Sequence, residues 1–196
     1  MSRTYKGGHE KLKLDILRTA IKLFNKNGLK FTMDNIASDL SISKKSIYLC
    51  FSSKNELFEA IVNHVFDSIQ TEKKKVMEDS SLTTVEKLRK ILSSLPKSYR
   101  EMNLNKLYSL KDNFPETYAL VEERLETGWE DTIALIEKGK KEGVIRDIDV
   151  NIFKLMFQAA LEQFFQKDIL VKNRISYTKA LNEVVEILID GISVRS

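Results

Sequence analysis

Apolar residues recur at helical spacing along nearly the whole chain, and the interruptions are short and polar. Ile16, Leu17, Ala20, Ile21, Leu23 and Phe24 form one stripe. They predict a helix from about Lys11 to Lys26, with Gly28 as its C-terminal cap. Met33, Ile36, Ala37 and Leu40 repeat at i, i+3, i+4 and i+7 and predict a short second helix. A third begins at Lys44 and turns Ile47 and Phe51 inward. Leu57, Phe58, Ile61, Val62, Val65, Phe66 and Ile69 carry a fourth from Lys54 to about Val76, with nothing to break it near residue 60.

Further along, Thr83 and Glu86 make a capping box that opens a helix bearing Val85, Leu88, Ile91, Leu92 and Leu95. Pro96 is expected to kink or divide it. A short helix is expected from about Leu104 to Lys111, and Phe114-Pro115-Glu116 reads as another helix start. From there one long helix is expected through Trp129 and Ile136 to Gly143. Asp149 caps the next helix, which is apolar on more than one face and so has two surfaces to cover. The last helix starts at about Ser176. The fold class is therefore all-α, about nine helices. A flexible basic arm is expected at 1–10, a three-helix head at 11–56 and a helical body at 57–196.

Composition agrees with this picture and narrows the setting. Two prolines and seven glycines in 196 residues favour helix, and the apolar and charged fractions, 42% and 31%, suit a soluble globular chain. No apolar run approaches the length of a membrane span, the N-terminus lacks the apolar core of a secretory signal, and a single cysteine fits a reducing cytoplasm. The net charge of +4 is uneven: residues 1–60 hold 11 Lys/Arg against 6 Asp/Glu, while the remainder is close to neutral. A basic head on a neutral body is the pattern of a protein whose head meets a polyanion.

Residues Phe31–Lys54 give that polyanion a chemistry. Three helix starts fall within 24 residues: Thr32 and Ser43 are N-caps, each with a hydrophobic staple, and Ser53 with Glu56 reads as a capping box. Two short helices joined by a tight turn make a helix-turn-helix. The second begins Lys44, Lys45, Ser46, offering two cations, a hydroxyl and free backbone N–H groups to phosphates and base edges.

The positions Ile36-Ala37, Ser43, Tyr48, Phe51, Lys54 and Leu57, preceded by Ala20, Leu23-Phe24, Gly28 and Phe31-Thr32, resemble the DNA-binding domain of the TetR family over about residues 12–60. The chain departs from that pattern at Ser41, where the family generally has Gly, and at Cys50, where His or Tyr is frequent. The resemblance implies that Thr32, Tyr48 and Lys54 hold phosphates. With Ser43 as cap, Lys44, Lys45 and Ser46 are then placed for base edges. It also implies that the last two helices pair with their copies in a second subunit, with Ala159, Ala160, Phe164, Leu181, Val184, Val185 and Leu188 as candidate interface residues. Two related heads can read a palindromic operator in double-stranded DNA.

Tyr99, Met102, Tyr108, Tyr118, Trp129, Phe153 and Phe157 are candidates for lining an apolar cavity that receives a small-molecule effector; plain core is the alternative for each. Catalytic residues, metal ligands and cofactors are not expected: the two histidines, His9 and His64, lie in no metal-ligand spacing, and neither a Gly-rich phosphate loop nor a nucleophile elbow occurs. The sequence thus points to a cytoplasmic homodimeric regulator, most simply a repressor, that a small molecule releases from DNA. A helical interaction module whose basic head binds acidic protein partners is the alternative.

Overall fold

The computed structural model of the protein describes residues 8–95, 109–166 and 168–194. Pro96, Tyr99, Met102 and Tyr108 lie outside them, as does most of the short helix expected from Leu104. Within the described residues the chain is built of α1 (Gly8–Asn27), α2 (Met33–Asp39), α3 (Lys44–Tyr48), α4 (Lys54–Glu78), α5 (Thr84–Leu92), α6 (Leu110–Asn113), α7 (Pro115–Glu126), α8 (Glu130–Lys141), α9 (Val150–Gln166), α10 (Ile169–Lys172) and α11 (Tyr177–Ile192).

The head closes around the apolar stripes that predict it. Phe24 of α1, Phe31, Ile36 of α2, Ile47 of α3 and Leu57 of α4 are almost fully buried. Phe58 lies edge-on to Phe24 and tilted against Phe31. Gly28 takes a left-handed φ of 60° just past α1, as a C-terminal cap should. Gly8, His9 and Glu10, expected in the N-terminal arm, form the first turn of α1 instead, and residues 1–7 lie outside the described residues.

α4 runs unbroken for 25 residues from the head into the body, where it packs on α7 and α5. α5 lies on α8 and α11, and the Arg89 guanidinium fixes it to α11 through Glu186 and Asp190. α9 packs beside α11 and crosses α7, with Gln158 donating to the carbonyl of Leu125 at 3.1 Å.

The expected long helix from Pro115 to Gly143 is in fact two. α7 stops at Glu126, Thr127 is extended, Gly128 turns left-handed at φ 74°, and α8 begins after Trp129. The cause is close packing on α4: a Cβ at Gly128 would stand 2.6 Å from Nε2 of Gln70. Without a side chain, residue 128 lets the turn press against α4, and Trp129 swings inward with its indole N–H on the carbonyl of Leu125 at 3.0 Å.

Candidate nucleic-acid interface and internal cavity

Backbone capping sets the attitude of the two short helices. Thr32 Oγ1 accepts from the N–H of Asn35, and Asn35 Oδ1 accepts from the N–H of Thr32, a reciprocal box at the start of α2. Ser43 Oγ accepts from the N–H of Ser46 and lies 2.8 Å from its hydroxyl at the start of α3. The third cap differs from the expected box. Ser53 accepts from the N–H of Glu56, but the Glu56 carboxylate turns to Ser52, bonding both its N–H and its hydroxyl, which holds its pKa below the usual carboxylate value. In the turn between α2 and α3, Ser41 sits in the left-handed region at φ 53°.

Thr32, Ser43, Lys44, Lys45 and Tyr48 are exposed and Ser46 is half-buried, so the outer side of α3 and the cap of α2 are brought together. The cations on this surface are not equivalent. Lys44 reaches back to the Asp34 carboxylate of α2 at 2.8 Å, and that hydrogen bond raises its pKa. The Lys45 ammonium forms no hydrogen bond or ion pair among the described residues. Lys54 faces inward, which corrects the expectation of an ammonium extended to a phosphate. Its Nζ donates to the carbonyls of Leu29 and Phe31, both at 2.6 Å, and lies 4.5 Å from the centre of the Phe31 ring. Burial pulls its pKa down.

Cys50 is buried, and burial pushes its thiol pKa up. The side chain that does emerge beside Tyr48 is Leu49, 70% exposed. The sequence reading missed it, because an apolar residue in a helical stripe is expected to point inward.

In the body, α4, α5, α7, α8, α9 and α11 surround a cavity of about 140 Å³ that is partly open to solvent. Of the residues expected to line it, Trp129 and Phe157 do so, their rings edge to face at 5.6 Å. Tyr118 and Phe153 are buried but belong to the packed core instead. Gln70, Lys73, Thr132 and Tyr177 were missed; a polar residue on an otherwise apolar helix face, such as Lys73 four residues beyond Ile69, is the trace that marks such a wall in a sequence.

Two candidate interface residues also need correction. Leu181 and Val185 are 4% and 1% exposed in a single chain, because α11 turns them toward α5 and α9, so they are core. Ala159 is exposed, and Ala160, Phe164, Val184 and Leu188 are half-buried. The apolar surface left uncovered is instead Ile152, Leu155 and Met156 on α9, with Ile187 on α11.

Residues 16–61 match the family of bacterial regulatory proteins of the tetR type. The chain is 27% identical over 178 residues to YvaF of Bacillus subtilis (strain 168), described as an uncharacterized HTH-type transcriptional regulator, covering 91% of this chain and 94% of that one. Its fold is similar to that of a TetR/AcrR-family transcriptional regulator from Thermobifida fusca, with a TM-score of 0.67 at 21% identity over 92% of this chain and 98% of the other. It is also similar to FadR from Bacillus subtilis, crystallised in complex with stearoyl-CoA, with a TM-score of 0.63 at 17% identity over 91% of this chain and 98% of that one.

Proposed function

We propose that this chain works as a TetR-type transcriptional regulator with the following cycle: a homodimer binds a palindromic operator through α2 and α3 and represses from it, and a small molecule in the body cavity releases it. The observation that carries this reading is α4. The helix begins at Lys54, inside the head, and residues of its later turns, from Ile61 to Lys73, form one wall of the cavity. A helix rises 1.5 Å per residue and transmits displacement as a rod, so a ligand that moves this wall moves the head.

The dimer reading rests on the uncovered apolar stripe. Ile152, Leu155, Met156 and Ala159 follow helical spacing on α9, which packs on α11, where Val184, Ile187 and Leu188 also follow helical spacing and are left partly or largely exposed. A second copy related by a two-fold axis would cover the stripe and set two heads a helical turn of DNA apart. That FadR, of similar fold, was crystallised with stearoyl-CoA supports a body that takes a ligand. In the DNA complex, Lys45, Thr32 and Tyr48 act directly, whereas Lys44 has first to leave Asp34.

Retardation of DNA flanking the gene, with unrelated duplex as competitor, is the test. Specific retardation with a stoichiometry of two chains per operator is expected. Binding to acidic proteins with no preference among duplexes would overturn the reading in favour of an interaction module.

A further inference from the structure

The cavity has one polar end and a long apolar side. Phe157, Leu161 and Phe165 follow one face of α9 at four-residue spacing, so the wall they make is about 12 Å long. Trp129 stands against Phe157 at one end, and Tyr177 stacks on Phe165 at the other. Gln70 and Lys73 project from α4 one turn apart, and Gln70 reaches the Gly128 turn next to Trp129. Thr132 follows one turn later on α8.

Nothing among the described residues pairs with these polar groups. The Gln70 amide, the Lys73 ammonium and the Thr132 hydroxyl, the last 1% exposed, form no hydrogen bond or ion pair among the described residues. The hydroxyl of Tyr177, 9% exposed, is likewise without a hydrogen bond there. Thr132 and Tyr177 are buried and Gln70 and Lys73 half-buried; donors left unpaired away from solvent are costly, so a cavity that collects them is shaped for a ligand that supplies acceptors. Lys73 sets the sign. Burial lowers its pKa, while Asp131 and Glu130 act in the opposite direction without forming an ion pair with it. Arg124, the other cation on the lining, is already engaged by Asn63 and Asp67.

We propose that the cavity takes an elongated acidic amphiphile. Its carboxylate is received by Lys73, Gln70 and Thr132, and its aliphatic body lies along Phe157, Leu161 and Phe165 toward Tyr177. A carboxylate supplies several lone pairs to those donors and an opposite charge to Lys73. A neutral head forgoes the charge, and a cationic head meets Lys73 in a poorly solvated corner. This inference rests on the reading of the body as a ligand-sensing domain.

A matched series tests it: dodecanoate, dodecanol and dodecyltrimethylammonium, each below its critical micelle concentration, titrated into the full chain by calorimetry with Trp129 emission in parallel. Dodecanoate is expected to bind at least about tenfold more tightly than either of the others. In Lys73→Met the acid should fall to the level of the alcohol while the alcohol changes by less than about twofold; Lys73→Arg should keep the preference for the acid. Circular dichroism checks that both variants are folded. Equal affinities, a preference for the cation, no binding by any of the three, or a preference that survives in Lys73→Met would each overturn the proposal. Operator affinity is measured separately: Lys73-dependent binding of dodecanoate that leaves operator affinity unchanged keeps the ligand assignment and removes the regulatory reading.

Discussion

Lys45 and Lys54 carry the same charge in the same head and perform different work. Lys54 is a tether, tying two carbonyls of the α1–α2 connection to the start of α4. Lys54→Met keeps the apolar stem but strands both acceptors, so it should destabilise the chain by about 1–3 kcal/mol, read as a fall in urea midpoint. The salt dependence of DNA binding should not change. Lys45→Ala should leave the midpoint alone and lose about 1–3 kcal/mol on the specific operator, if the ammonium meets a base edge in the complex. Ser41 offers a third test. A left-handed residue other than glycine costs about 1–2 kcal/mol, and glycine gives back about 0.5–1 in chain entropy. Ser41→Gly should therefore stabilise by roughly 0.5–1 kcal/mol, visible as a higher midpoint. At this scale the sequence shows which side chains carry charge but not which partner takes it. The pairing of Lys44 with Asp34 joins residues on two helices, and the inward path of Lys54 depends on where the α1–α2 connection passes.

Elements were easier to read than partners. The caps at Thr32, Ser43 and Thr83 stand where the sequence places them, because capping depends on residues three positions apart, and the last helix starts at Tyr177, as expected from about Ser176. Asp149 likewise accepts from the N–H groups of Asn151 and Ile152. The continuity of α4 was also legible, since no Gly or Pro interrupts its stripe. The break between α7 and α8 was not. A single Gly inside a helical pattern is tolerated, and only the approach of Gln70 from another helix makes this one a turn. Gly128→Ala should cost about 1–2 kcal/mol for the left-handed backbone alone, and the added methyl collides with Gln70 as well. Thermal unfolding measures the loss. A shifted Trp129 emission in the folded variant would show the cavity wall moving with the turn.

For the whole molecule, the exposed stripe on α9 and α11 is the feature a single chain leaves unresolved. Leu155 and Ile187 are 59% and 68% exposed in the middle of it. Leu155→Glu should dissociate the proposed dimer at micromolar concentration with helical circular dichroism retained, because each copy would otherwise bury unpaired charge at the interface. Sedimentation equilibrium reads the outcome, and a folded variant that remains dimeric would move the interface elsewhere. The same test in Leu181→Glu is expected to unfold the chain, since that residue is core. Two apolar faces on α9 were apparent in the sequence; which face met its own chain and which met solvent depended on how α11 crossed it.

Because α4 serves both the head and the cavity, the walls of the cavity are not equally free to change. Ile61, Val62 and Val65 lie on the helix that starts in the head, so under the proposed cycle altering them to admit a new compound would disturb the output along with the input. Phe157, Leu161 and Phe165 sit on α9, outside the head, and carry no such double duty. A biosensor built on this scaffold would diversify that α9 wall first and leave α4, the helix proposed to report occupancy, as it is.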